Sequence, residues 1–131
     1  MMNEASIVLD SKDYEMIELL KKLNISRPIA LTLTCLVKNE GITSQKIEMV
    51  TGLRQPEVSI AMRYLQKNNW IEFNEEKKST GKGRPTKLYS LIVPMNQIIN
   101  MFEEKILAES NLVLRNIESL KKVSENRYKE L

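Results

Sequence analysis

Histidine is absent from the 131-residue chain and cysteine occurs once, at Cys35. The usual zinc sites cannot form from such a set, and neither a Ser-His nor a Cys-His nucleophile pair can be built. One thiol also makes no internal disulfide, which agrees with a reducing compartment. No window approaches the roughly 18 uninterrupted apolar residues of a membrane span. The opening MMNEASIVLDSKD has neither the basic start nor the apolar stretch of a signal peptide. A cytoplasmic protein without a membrane partner is expected. Carboxylates are scattered opposite lysines on helix-like segments, and no Gly-x-x-x-x-Gly-Lys cradles a phosphate. The sequence therefore argues against an enzyme and calls for no cofactor and no metal.

What is present is an uneven charge distribution. The net charge is only +3. Lys and Arg against Asp and Glu number 6 and 7 in residues 1–53, 8 and 4 in 54–91, and 6 and 6 in 94–131. All of the positive excess lies in the middle third, which locates a surface for a polyanion.

Glycine and proline number four each and punctuate the chain. DSKDYEMIELLKKLNI spaces Tyr14, Ile17 and Leu20, with Met16 and Leu23 beside them, as one face of a helix capped by Asp10 or Ser11. SRPIALTLTCLVKNEG follows, with Ser26 as cap, Pro28 in the first turn, apolar residues from Ile29 to Val37 and Gly41 as the stop. Cys35, among leucines, reads as a small core residue. A short helix from Thr43 or Ser44 then buries Ile47 and Val50 and ends at Gly52. The next begins near Gln55, with Pro56 in its first turn, Glu57 at its positive end and a Leu53–Val58 staple. Val58, Ala61, Met62 and Leu65 form its buried face and Asn68 and Asn69 end it. Gln55, Pro56, Ser59, Ile60, Arg63 and Lys67 face the other way. Two short helices joined by a glycine turn describe a helix-turn-helix. WIEFNEEK and TKLYSLIV then read as two strands of a hairpin whose long tip holds Gly81, Gly83 and Pro85.

TGLRQPEVSIAMRYLQKNNWIEF resembles the Thr-Gly-Leu-Ser-Gln-Pro-x-Val-Ser run of winged helix-turn-helix transcription regulators of the ArsR and MarR kind. GKGRPTKLYSL resembles the Gly-Arg-Pro wing of their archaeal members. The similarity covers residues 26 to 93. Arg54 departs from it where a Ser or Thr cap is usual, Ile60 where a basic or polar residue is frequent, and Asn69 where glycine is usual. The cysteine motif of metal-sensing ArsR repressors is missing, so metal-regulated release is not expected.

The resemblance implies a recognition helix in the major groove of double-stranded DNA, with Arg54, Gln55, Pro56, Glu57, Ser59, Ile60, Arg63 and Lys67 at the interface. Gln55 suits adenine, Arg63 a guanine or a phosphate, and Ser59 either. Lys82, Gly83, Arg84, Pro85, Thr86 and Lys87 form the wing. Arg84, between a glycine and a proline, suits the narrow minor groove of A·T-rich DNA, and Gly83-Arg84-Pro85 resembles the core of AT-hook peptides. The rival for the wing is a solvated loop. Ser44, Gln45, Lys67, Lys82 and Lys87 are candidates for phosphate contacts, with helix capping the rival role for Ser44.

From Met95 to Leu131 there is neither glycine nor proline. Met95, Ile99, Phe102, Ile106, Val113, Ile117 and Leu120 fall mostly three and four apart, the stripe of a helix that packs along another. A second copy of the chain is the expected partner; the rivals are a helix folded back on its own domain and a bend or a two-helix hairpin at Glu109 and Ser110, where the stripe breaks. The expected fold is mainly α with a small β-hairpin (α+β). Residues 1–93 form the winged DNA-binding domain and 94–131 a helical dimerisation segment, in a homodimeric, sequence-specific transcription regulator. The alternative is a winged-helix module that binds another protein of the transcription or RNA machinery.

Overall fold

The structure, a computed structural model of the chain, describes residues 8–76 and 85–129. They form α1 (Ser11–Lys22), α2 (Arg27–Lys38), α3 (Ser44–Thr51), α4 (Gln55–Lys67), β1 (Ile71–Glu76), β2 (Thr86–Leu91) and α5 (Met95–Lys129). The chain divides into two compact units, Met1–Val93 and Pro94–Leu131. The predicted α+β class is the one found.

Helix α1 starts at a reciprocal cap. Asp10 Oδ1 accepts from the Asp13 N–H at 2.9 Å and Asp13 Oδ2 from the Asp10 N–H at 2.8 Å, so two orphan donors of the first turn are satisfied. The Asp13 N–H also holds the Asp10 carboxyl below the usual carboxylate range. Lys38 Nζ donates to Asp13 Oδ2 at 2.5 Å and to the Val8 carbonyl at 2.8 Å, tying this start to the end of α2. Ile17 and Leu20 carry the buried contact of α1, whereas Tyr14 and Leu23, expected on the same face, are exposed. At about 100° per residue they lie about 90° to either side of the Ile17–Leu20 centre, outside the strip a single neighbouring helix covers.

Helix α2 is buried through seven successive residues, Ala30 to Leu36. Burial raises the Cys35 thiol to about 11, so it stays protonated and packs as a small apolar side chain. The helix stops at Lys38, three residues before the expected Gly41, because Asn39 turns to extended backbone; Val37 is already exposed.

Thr43, not Ser44, caps α3 by accepting from the Lys46 N–H at 3.1 Å. Gly52 ends α3 in the left-handed region at φ 76°, and three residues on α4 begins. Leu53 and Val58 are both buried, as a staple requires. Val58, Ala61, Met62 and Leu65 form the buried row, and α4 packs on α2 and α3. Each fully buried Val, Ile or Leu in such a row contributes about 1.5 to 3 kcal/mol.

β1 and β2 pair antiparallel, Ile71 opposite Leu91, Phe73 opposite Tyr89 and Glu75 opposite Lys87. Ile42, just before α3, exchanges two backbone hydrogen bonds with Tyr89, at 2.9 and 2.8 Å. Trp70 is buried with its ring edge-on to Tyr64. Phe73 lies inside β1 and is 39% exposed; it packs on Tyr89 with Lys87 Nζ above its ring at 4.6 Å. The helix-turn-helix followed by a hairpin is a winged-helix arrangement.

In the second unit α5 runs 35 residues without interruption through Glu109 and Ser110. The sequence left a bend there open; none breaks the helix. A helix of that length spans about 52 Å. Ile98 and Phe102 are buried, while Leu107, Leu112, Val113, Leu114, Ile117, Leu120 and Val123 are exposed.

The turn before α4 depends on Gly52, whose added Cβ would touch nothing within 4 Å. Gly52→Ala should therefore cost only left-handed backbone strain, about 1 to 2 kcal/mol. Urea denaturation checks this: the midpoint should fall with the slope unchanged.

Candidate nucleic-acid interface

Because α4 commits one side to the core, the residues about 180° away must face outward. Arg54, Gln55, Pro56, Ile60, Arg63 and Lys67 are exposed, and Glu57 and Ser59 are half-buried. Glu57 serves the helix itself: its carboxylate accepts from the Arg54 N–H at 2.9 Å. Arg54, at the cap position, returns nothing to the helix, since a guanidinium has donors and no acceptor. Gln55 Nε2 donates to Ser59 Oγ at 3.0 Å, one turn on, and this bond orients the amide at the exposed start of α4.

Beside this face lies an open cleft of about 230 Å³. Ser44 and Glu48 of α3 line one wall, Gln55, Ser59, Arg63 and Gln66 of α4 another, and Tyr89 of β2 one end, with Val58 and Met62 also lining it. The structure thus brings Ser44, Gln55, Ser59 and Arg63 together at one cleft. Pro56, Ile60 and Lys67 are on the outward side of α4 and do not line it. Gln45 is exposed at the start of α3. Among the described residues neither Glu48 nor Arg63 joins an ion pair.

Of the wing, Pro85 and Lys87 are exposed and Thr86 is half-buried; Lys87 leans over Phe73. Lys82, Gly83 and Arg84 lie outside the described residues. In the long helix Ile99, Val113, Ile117 and Leu120 are exposed, Met95 and Ile106 half-buried and Phe102 buried. Ile98, which the sequence reading passed over, is fully buried.

Three cleft residues were also missed. Gln66 had a readable signal, since it stands 11 residues after Gln55 and three helical turns bring it to the same side. Glu48 looked like an ordinary solvated carboxylate on a short helix. Tyr89 had no local signal, because the pairing with Ile42 that sets it spans 47 positions.

No protein-family model matches the chain, and no curated protein does. Solved structures share its fold. A possible transcriptional regulator from Methanosarcina mazei Go1 is 12% identical, with a TM-score of 0.59 over 81% of this chain and 87% of that one. TrmBL2, described as an archaeal chromatin protein with a novel mode of DNA binding, is 21% identical with a TM-score of 0.57 over 87% of this chain. The match spans 41% of TrmBL2. A looser likeness, at TM-score 0.49 and 18% identity over 89% and 88% of the two chains, is to NMB1585, a MarR family regulator from Neisseria meningitidis.

Arg54 occupies a cap position without capping, so Arg54→Ser should stabilise the protein by about 1 kcal/mol, the usual value of an N-cap oxygen. Thermal melting checks it; an unchanged or lower Tm would mean that Arg54 supports α4 in some other way.

Proposed function

We propose that the chain is a transcription regulator that binds double-stranded DNA sequence-specifically as a homodimer. The observation that carries this is the outward face of α4: a helix rigidly seated by its buried row, with the Gln55 amide, the Ser59 hydroxyl, the Arg63 guanidinium and Lys67 on its accessible side. These are the donors and acceptors that base edges and phosphates require. The winged-helix fold shared with a possible transcriptional regulator and with a DNA-binding chromatin protein supports the reading. Residues 1–93 are the DNA-binding domain. Helix α4 enters the major groove, where Gln55 pairs with adenine and Arg63 with a guanine. Ser44 and Gln45 meet phosphates at the N-terminus of α3. The wing reaches the minor groove through Lys82, Gly83 and Arg84, and Lys87 approaches a phosphate.

The second half of α5 supports the dimer. Val113, Ile117 and Leu120 stand 55%, 43% and 66% exposed in the single chain, and their spacing of four and three is that of a helix-packing seam. Two copies joined there present two recognition helices to two half-sites.

Fluorescence anisotropy with labelled duplexes tests the DNA reading. Log K should fall linearly with log salt, each neutralised phosphate adding about −0.9 to the slope, and Lys87→Ala should make the slope shallower on every sequence alike. A flat response, or preference for single-stranded RNA, would overturn the assignment.

Sedimentation tests the seam. Ile117→Glu with Leu120→Glu places like charges in apposition and should give a monomer with unchanged helical content and operator affinity weaker by about 100-fold or more, as the second half-site is lost. A variant that still sediments as a dimer would place the seam elsewhere.

A further inference from the structure

Glu48 and Arg63 line the same cleft from two different helices, α3 and α4. Opposite charges placed in one small space ordinarily meet, yet among the described residues these two form no ion pair and no side-chain hydrogen bond. A carboxylate offers only acceptors and a guanidinium only donors. What fits between them carries donors on one side and acceptors on the other.

In the major groove a C·G base pair has that polarity: cytosine shows the N4 amino donor and guanine the O6 and N7 acceptors. G·C and T·A reverse the two, placing an acceptor before the carboxylate; A·T keeps the order, adenine N6 and then thymine O4, but gives the guanidinium one acceptor where guanine gives two. Val58 and Met62 add apolar lining to the same cleft, and charged groups beside apolar surface interact more strongly than in open water.

We infer that Glu48 and Arg63 together read one C·G base pair, Glu48 accepting from cytosine N4 and Arg63 donating to guanine O6 and N7. This rests on α4 docking in the major groove as proposed above. Glu48 thereby becomes a specificity residue on the helix that otherwise positions the protein on phosphates. It also repels: with T·A or G·C at that position the carboxylate faces thymine O4 or guanine O6 with no donor to accept from, and with A·T it keeps the adenine N6 donor while Arg63 is left one acceptor, so wrong sites are penalised as well as the right one rewarded.

The experiment is selection of binding sites by the full-length protein from a pool of randomised duplexes, repeated with Glu48→Gln and Arg63→Ala, each first shown by circular dichroism and thermal melting to fold as the parent does. The parent should select a motif with one invariant C·G pair. Both variants should lose the preference at that same pair, by about tenfold on a duplex carrying T·A there instead, and retain it at the position lost in Gln55→Ala. Glu48→Gln should at the same time bind unselected duplex at least as tightly as the parent, because a charge repelling phosphate is gone. If the parent selects a motif and Glu48→Gln selects the same one, the inference is wrong while the DNA-binding reading stands. If the parent enriches no duplex sequence at all, the reading beneath it has failed instead. Loss of preference at two different pairs in the two variants would also overturn the joint role.

Discussion

Seven consecutive residues of α2, Ala30 to Leu36, are each at most 4% exposed. A helix without a wet side can exist only if other elements surround it, and α1, α3, α4 and β2 do so. The rest of this unit follows from that requirement. α4 must turn Val58, Ala61, Met62 and Leu65 inward, so its polar residues have one direction left. The central position also tolerates little polarity. Thr34 Oγ1 hands its hydrogen back to the Ala30 carbonyl at 2.8 Å, whereas Thr32 Oγ1 is buried with no partner among the described residues, an arrangement that costs about 1 to 3 kcal/mol.

Local chemistry made the helix boundaries legible. A cap, a first-turn proline and a terminal glycine act within three or four residues of where they stand, and so α3 and α4 were readable almost to the residue from Thr43, Gly52 and Pro56. Burial was legible where one helix face is wide, as in α2 and α4, and less so where it is narrow: Tyr14 and Leu23 share periodicity with Ile17 and Leu20 but fall beyond the covered strip of α1. Phe73 shows the same limit in a strand. An aromatic residue in a strand signals burial only if something covers that side of the sheet, and here its neighbours are Tyr89 and the ammonium group of Lys87. The continuity of α5 across Glu109 and Ser110 was undecidable from the apolar stripe, because helix propensity and not burial carries an exposed segment.

The candidate interface divides along the same line. Gln55, Ser59 and Arg63 were readable because they oppose a buried row on one helix, a relation contained within nine residues of sequence. The other wall of the cleft depends on how α3 and β2 are placed against α4. Tyr89 is held there by the two backbone hydrogen bonds to Ile42, and Glu48 is brought to Arg63 by the turn at Gly52. Relations of this kind join distant positions and leave no periodic trace.

In the proposed docking the basic excess of the middle third and the acid at the cleft act on different quantities. Lysines and arginines facing phosphates raise affinity for every duplex equally, and a regulator that bound only through them would be distributed over the whole genome. Selectivity grows when binding to wrong sites is weakened at least as much as binding to the right one is strengthened. In the proposed docking the Glu48 carboxylate does the first, and the Gln55 amide and the Arg63 guanidinium do the second. Arg54 fits the same compromise. It stands at the start of α4 where an oxygen-bearing side chain would hold the helix better, and in the proposed docking the local stability forgone there is the cost of presenting a cation at the edge of the interface.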